Sequence, residues 1–88
     1  MNFAVIGLGS FGIKRAGAVK NSKLAKLISI HDVNEDNAKK ASSILEVPVN
    51  NYDEIIKDPN INVICVCTPN KFHKKIIIQR IYFHFANI

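Results

Sequence analysis

The sequence contains no tryptophan, one methionine and only two cysteines among its 88 residues, and this excludes several kinds of site. Cys65 and Cys67 are one residue apart, so neither the C-x-x-C spacing of redox motifs nor a second ligand pair for zinc is present. Both cysteines lie in an apolar run typical of a strand and therefore point to one face. We expect two small buried core thiols, a reducing cytosol and no metal site.

Long apolar runs are also missing. The apolar segment at the N-terminus is too short to cross a membrane. No positive residue precedes it and no A-x-A-like site follows it, which argues against a signal peptide. We expect a soluble, cytoplasmic protein with no membrane partner.

Dense charge is missing as well. The net charge is +5, from 12 Lys and Arg against 7 Asp and Glu, but the basic residues are scattered and no aromatic residues interleave with them. This pattern favours a solvated surface over a nucleic-acid site, which needs a basic patch and stacking side chains. At 48% hydrophobic and 22% charged residues, the composition is that of a globular chain with one domain at most.

What the sequence does contain is an alternation of apolar runs with helical segments. Strands that alternate with helices indicate a parallel sheet with right-handed crossovers. We therefore predict an α/β fold, a Rossmann-like doubly wound parallel sheet that is incomplete, with about four strands in three layers. The predicted strands cover residues 2–6, 26–32, 61–67 and, at the edge, 47–49, and the predicted helices cover residues 11–21, 51–58, 71–81 and the segment from the cap Asn34 to Pro48.

The first strand opens into a G-x-G-x-x-G turn formed by Gly7, Gly9 and Gly12. The pattern is weak alone, but here a strand precedes it and a helix follows. In a dinucleotide site the first glycine permits the tight turn, the second lets the backbone approach the pyrophosphate, and the third lets helix and strand pack closely. Helix N–H groups and the helix dipole attract the phosphate charge. The alternative is an ordinary strand–turn–helix that is rich in glycine.

Asp32 ends the second strand about 20 residues after Gly12. A carboxylate there can accept hydrogen bonds from the adenosine ribose hydroxyls. It would repel the 2′-phosphate of NADP, and no arginine follows to hold that phosphate, so NAD is favoured over NADP. The alternative is a turn or cap residue after a strand.

A second group of candidate residues follows the last predicted strand. Thr68, Asn70 and His73 are placed on the opposite wall of the crevice, facing the glycine turn across the topological switch point. Asn70 as a helix cap and His73 as a surface helix residue are the alternatives.

Together these motifs resemble the N-terminal nucleotide-binding domain of the Gfo/Idh/MocA oxidoreductases, the glucose–fructose oxidoreductase and inositol dehydrogenase family. The similarity rests on the glycine turn, on Asp32 and above all on the stretch from Tyr52 to His73, YDEIIKDPNINVICVCTPNKFH. The resemblance implies hydride transfer on a sugar, polyol or related metabolite in a full-length protein. It implies these site residues: Ser10, Phe11 and Gly12 at the pyrophosphate, Asp32 at the ribose, and Thr68, Asn70 and His73 on the nicotinamide side.

The resemblance ends after Gln79. The family's catalytic lysine motif and its substrate domain have no counterpart, so we predict no catalytic residue, a nucleotide-binding domain over residues 1–79 and an atypical aromatic tail over residues 80–88. A premature end or a frameshift is the leading explanation for the tail. Two alternatives stay open, a non-catalytic nucleotide-binding or interaction module and a truncated product without function. An oligomer is compatible with each.

Overall fold

The computed structural model describes residues 1–68 and 70–86, in which strands and helices alternate except that two helices follow one another between the second and third strands. Every predicted helix is present. Asn34 caps the second helix by accepting a hydrogen bond from the backbone N–H of Asn37 at 3.0 Å, as expected. In the described residues the elements are β1 Asn2–Ile6, α1 Ser10–Asn21, β2 Lys26–His31, α2 Glu35–Leu45, α3 Tyr52–Lys57, β3 Val63–Val66 and α4 Asn70–Ala86.

The strands form an open parallel sheet in the order β2-β1-β3, which confirms the α/β, Rossmann-like fold class. The expected edge strand at 47–49 is reduced to one isolated bridge between Val49 and Ile30. Pro48 has no N–H to donate, so it takes part only through its carbonyl oxygen, which accepts from Ile30 N. Asn50 N then donates to Ile30 O, and the pairing ends there. The described part of the sheet therefore has three strands rather than about four.

The sheet is covered on both faces, which makes the fold three-layered as predicted. Alternate residues of β1 enter different cores: Val5 packs toward α1 and α2, whereas Ala4 and Ile6 pack toward α3 and α4. This explains why the first strand is apolar from Phe3 to Ile6. The buried core on the first face includes Leu8, Ala16, Leu27, Ile30, Ala38, Ala41, Leu45 and Val47, and that on the second face includes Ile55, Ile56, Ile61 and Ile76.

β3 is less protected than β1. All four of its residues are half-buried, and the expectation of fully buried thiols is wrong for both cysteines. Cys65 and Cys67 pack against the core on the α1 side but stay partly exposed, because no neighbouring strand pairs with the outer side of β3 in the described residues. Burial raises the pKa of both thiols, and the nearby Arg15 charge opposes this only in part.

α4 extends beyond the predicted end at residue 81 and includes Arg80, which the sequence assigned to the tail. The Arg80 guanidinium donates to the carbonyl oxygens of Ile56 at 2.7 Å and Asp58 at 3.0 Å, and also to that of Ile61. The domain boundary after residue 79 stays a prediction, but Arg80 is bonded to the folded part. The last two residues of the predicted tail lie outside the described part of the chain.

Within residues 1–68 and 70–86, no helix combines the length and the apolar character that crossing a membrane requires.

Candidate functional site

A cleft of about 480 Å³ lies at the carboxyl ends of the three strands. β2 and β3 flank β1 on opposite sides, so the chain leaves β1 in one direction and returns on the other. Ligands of open α/β sheets bind at such a switch point. The cleft is lined by Ile6, Gly7, Gly9, His31, Asp32, Val33, Asn37, Tyr52, Cys67, Thr68, Phe72, Lys75 and Ile76.

Gly7 is required by both conformation and space. Its φ is +97°, a region that side chains rarely allow, and a Cβ there would lie 2.7 Å from the backbone carbon of Cys67. Its N–H donates to the carbonyl oxygen of His31 at 2.8 Å. Gly7 thus lets β1 turn between the ends of its two neighbouring strands, as the sequence predicts.

Gly12 is required by packing alone. A Cβ on this residue would lie 1.9 Å from the carbonyl oxygen of Gly7, inside the turn itself. Gly12 is buried in the first turn of α1 and does not line the cleft. Its part is to let the helix pack on the glycine turn, which matches the predicted role of the third glycine.

No contact within the chain requires glycine at position 9. Its φ is −67°, and nothing lies within 4 Å of the position that a Cβ would occupy. Gly17 in α1 has equally open surroundings, but Gly9 lines the cleft and Gly17 does not. The space above Gly9 is therefore free for a group that is not part of the chain.

The start of α1 is suited to negative charge. Gly9 stands at the N-cap position without a side-chain cap, and the first turn contains no acidic residue. The first N–H groups of a helix have no intrahelical partner, and the dipole end is positive. Ser10 and Phe11 are exposed in this turn, and the Arg15 guanidinium lies 4.9 Å from the centre of the Phe11 ring.

Asp32 is fixed by two backbone hydrogen bonds. Its Oδ2 accepts from Leu8 N at 2.6 Å and its Oδ1 accepts from Asn34 N at 2.8 Å. The turn role that the sequence left open is therefore present. A carboxylate has about four acceptor sites, so each oxygen keeps capacity for another donor at the cleft. The ribose role stays a prediction, and the observed bonds fix the carboxylate at the cleft.

Thr68 lines the same cleft as Asp32, and its hydroxyl is unusual. Its Oγ1 is buried and finds no hydrogen-bond partner among the described residues. A buried hydroxyl without a partner costs free energy, so such groups are normally paired. A polar ligand in the cleft would relieve this cost.

The other residues of the Thr68 loop are placed differently. His73 Nε2 donates to the carbonyl oxygen of Thr68, and the side chain of His73 does not line the cleft. Asn70 is the first residue of α4, where its side chain is not described, and Pro69 lies outside the described residues. Of the predicted set, the cleft is lined by Gly7, Gly9, Asp32 and Thr68, whereas Ser10, Phe11, Gly12 and His73 do not line it.

Several lining residues were not predicted. Phe72, Lys75 and Ile76 follow the Thr68 loop at helical spacing, so periodicity in α4 was a usable signal for them. Val33 and Asn37 follow Asp32 closely in the sequence. Tyr52 had no such signal, because it reaches the cleft only through the packing of α3.

Tyr52 and His31 form an aromatic pair at the β2 end of the cleft. Their ring centroids are 6.2 Å apart with an interplanar angle of 59°. His31 Nδ1 donates to the carbonyl oxygen of Asn50 at 3.0 Å, and the Tyr52 hydroxyl donates to Gln79 Oε1. Burial, with a contribution from the Asp53 charge, raises the pKa of Tyr52.

Comparison with known proteins identifies one sequence family. The model of the Gfo/Idh/MocA family, described as an oxidoreductase family with an NAD-binding Rossmann fold, matches residues 1–83. A myo-inositol 2-dehydrogenase of Thermotoga maritima is 35% identical over 80 residues, which are 89% of this chain and 24% of that protein. An uncharacterized oxidoreductase of Streptococcus pneumoniae is 28% identical over 80 residues, 90% of this chain and 21% of that protein.

Solved structures give the same fold. A "probable dehydrogenase" of Thermotoga maritima superposes with a TM-score of 0.86 at 30% identity and covers 94% of this chain and 26% of that chain. Myo-inositol dehydrogenase of Lactobacillus casei, crystallised with NAD(H) and myo-inositol, superposes with a TM-score of 0.85 at 19% identity over 93% of this chain and 25% of that chain. The chain spans about a quarter of the length of the curated relatives that it matches.

Proposed function

Because the chain belongs to the Gfo/Idh/MocA oxidoreductase family and matches its NAD-binding Rossmann fold, we propose that the cleft above the glycine turn takes NAD. In this proposal the pyrophosphate lies over Gly9 and the first turn of α1, beside Ser10 and Phe11. The adenosine ribose bonds to the Asp32 carboxylate. Thr68 lies on the facing wall, and Asn70 and His73 are assigned to the nicotinamide side through the family resemblance.

The observation that carries the proposal is the open space at Gly9. Gly7 and Gly12 are explained by contacts within the chain, and Gly9 is not. A backbone that a pyrophosphate approaches closely needs a glycine for the ligand's sake. The unpartnered Thr68 hydroxyl in the same cleft supports a polar ligand independently.

The activity of a whole protein belongs to the proposal as well. NAD supplies a hydride acceptor when bound, but turnover also needs a substrate carbon held against it and a group that moves the proton. We assign no catalytic residue to this chain, and we propose that it binds NAD without turnover by itself. In a full-length protein the same domain would act on a sugar, polyol or related metabolite.

We extend the proposal to cofactor choice and location. The fixed Asp32 charge favours NAD over NADP, because a 2′-phosphate would lie beside a carboxylate. Two free cysteines fit a reducing cytoplasm. The scattered basic residues support a solvated surface and no nucleic-acid partner.

The test compares Gly9→Ala with Gly17→Ala by calorimetric titration with NAD. Both glycines have open surroundings, so neither methyl group meets the protein. Gly9→Ala is expected to keep the fold, shown by an unchanged circular dichroism spectrum, and to weaken NAD binding at least tenfold. Gly17→Ala is expected to bind NAD as the wild type does.

Equal NAD affinity in the two variants would disprove the placement of the pyrophosphate at Gly9. Turnover of inositol or sugars with NAD by the purified chain would disprove the claim that it binds without catalysis. A wild type that is folded but does not bind NAD would disprove the proposed function as a whole.

A further inference from the structure

We propose that Gln79, on α4, is a positioning residue for the adenine end of the cleft, and that it acts through the hydroxyl group of Tyr52. This inference rests on the proposed function. It concerns a residue in the second half of α4, far from the glycine turn in the sequence. Its basis is the way in which α4 holds α3 from both ends.

α3 cannot hold its own position. It covers only Tyr52–Lys57, and a helix this short is not stable in isolation. Its start is fixed by a capping box between Asn51 and Glu54, which satisfies the N-terminal donors but does not orient the helix on the sheet. The orientation must come from tertiary contacts.

The buried Ile55 and Ile56 pack α3 into the core on this face of the sheet, and α4 adds hydrogen bonds at both ends of α3. At the C-terminal end of α3, Arg80 donates to the carbonyl oxygens of Ile56 and Asp58. At the N-terminal end, Gln79 Oε1 accepts from the Tyr52 hydroxyl. Two successive residues of α4 therefore fix the two ends of α3.

The side chain that this arrangement fixes is part of the cleft wall. Tyr52 stands against the His31 ring, and the bond from His31 Nδ1 to the Asn50 carbonyl holds that ring in turn. A phenol keeps its proton at neutral pH, so the Tyr52 hydroxyl donates to Gln79 Oε1. The wall is thus held from two sides.

The position of this wall indicates which part of the ligand it faces. His31 directly precedes Asp32, the residue assigned to the adenosine ribose, and Val33 and Ile76 add apolar surface to the same cleft. A planar purine attached to that ribose is best bound by an apolar and aromatic wall. We therefore assign the Tyr52 side of the cleft to adenine rather than to nicotinamide.

The test measures the affinities of the two halves of the cofactor, AMP and NMN, by calorimetry. Gln79→Leu removes the acceptor at similar size, Tyr52→Phe removes the donor and keeps the ring, and Gln79→Glu keeps an acceptor oxygen. Each of the first two variants is expected to weaken AMP binding about 3- to 10-fold, the equivalent of one neutral hydrogen bond. NMN binding is expected to stay unchanged in both.

The double variant Gln79→Leu/Tyr52→Phe and the conservative variant Gln79→Glu separate positioning from a general loss of structure. If the bond acts as one unit, the double variant loses no more AMP affinity than either single variant. Gln79→Glu is expected to restore AMP affinity to within about twofold, which is less than the worth of one hydrogen bond. Lys74→Met, on the exposed side of the same helix, is the matched control and should bind both nucleotides as the wild type does.

Unchanged AMP affinity in Gln79→Leu, or an equal loss for AMP and NMN, would overturn this inference while leaving NAD binding in place. Additive losses in the double variant would also overturn it. A wild type that binds neither AMP nor NAD would overturn the proposed function and this inference with it.

Discussion

At the scale of single residues, the glycine turn shows that one motif combines two kinds of requirement. At Gly7 and Gly12 a Cβ atom would collide with backbone atoms of the chain itself, so the fold requires glycine at both positions. At Gly9 a Cβ atom would collide with nothing in the chain. Its position in the cleft supports a requirement for glycine that comes from a ligand. The folding role and the binding role of the motif can therefore be separated experimentally.

Asp32 has a structural role in the turn and, in the proposed function, a binding role at the ribose. Replacing it with Asn is expected to weaken NAD binding about tenfold, because hydrogen bonds to a charged acceptor are stronger than those to a neutral one. The same change should narrow the preference for NAD over NADP, since the repulsion of a 2′-phosphate is removed. Calorimetric titration of Asp32→Asn with both cofactors measures the two effects.

Asp36→Asn is the control for this prediction, because Asp36 is an exposed acid in the first turn of α2 and does not line the cleft. It should leave both affinities unchanged. A ratio of NADP to NAD affinity that is the same in Asp32→Asn and the wild type would contradict the assigned role of Asp32.

At the scale of elements, α4 connects the site to the rest of the fold. Its first half lines the cleft with Phe72, Lys75 and Ile76, and its second half holds α3 through Gln79 and Arg80. The family match also continues through residue 83. Both findings favour counting at least Arg80 with the domain, although the sequence motifs stop at Gln79.

Arg80→Met tests whether the second half of α4 is part of the folded unit. The variant keeps most of the apolar stem but removes the donors to the carbonyls of Ile56, Asp58 and Ile61. Hydrogen bonds that involve a charged group contribute about 1.5–3 kcal/mol, so we expect a loss of about 2 kcal/mol in the free energy of unfolding. Urea denaturation, followed by circular dichroism, measures the loss.

Lys74→Met serves as the control for this measurement as well, because Lys74 is exposed on the same helix. It should change the free energy of unfolding by less than about 0.5 kcal/mol, as surface substitutions usually do. If Arg80→Met is no less stable than Lys74→Met, the predicted boundary after residue 79 is supported instead.

At the scale of the whole molecule, the two faces of the sheet are well covered but its β3 side is not. β1 is buried at Ala4 and Val5, which are 0% exposed, whereas every residue of β3 is half-buried. On α4, Ile77 and Ile78 are 50% and 53% exposed. A small domain with this much open apolar surface has little stability in reserve.

Bound NAD should therefore raise the stability of the molecule measurably. A ligand at 100 times its Kd adds about 2.7 kcal/mol to a folded state that alone binds it. For a domain of this size each kcal/mol shifts Tm by about 4–8 °C, so the expected rise is at least 10 °C. Thermal unfolding followed by circular dichroism, with and without NAD, measures the rise.

Gly9→Ala is the matched control, because its fold is expected to be intact while its pyrophosphate site is blocked. At a tenfold weaker affinity the same NAD concentration adds about 1.4 kcal/mol, so its rise in Tm should be about half that of the wild type or less. An equal rise in the wild type and in Gly9→Ala would mean that NAD stabilises the chain from another site.

The sequence by itself determined the features that depend on neighbouring residues. The apolar run of β1, the glycine turn and the position of Asp32 after β2 are local patterns. They predicted the α/β fold correctly, and the site that they indicate stays a prediction. The alternation of strands and helices also predicted the two covered faces of the sheet. Each of these signals lies within about 20 residues of chain.

The tertiary structure decided what depends on distant residues. Tyr52 lines the cleft, and its hydroxyl donates to Gln79, 27 residues away in the sequence. Arg80 donates hydrogen bonds to carbonyl oxygens that lie 19 to 24 residues earlier in the sequence. The expected edge strand shrank to one bridge at Val49, and the thiols of Cys65 and Cys67 stayed partly exposed. Packing between elements sets these outcomes, and no local pattern encodes which side chains meet when two helices dock on a sheet.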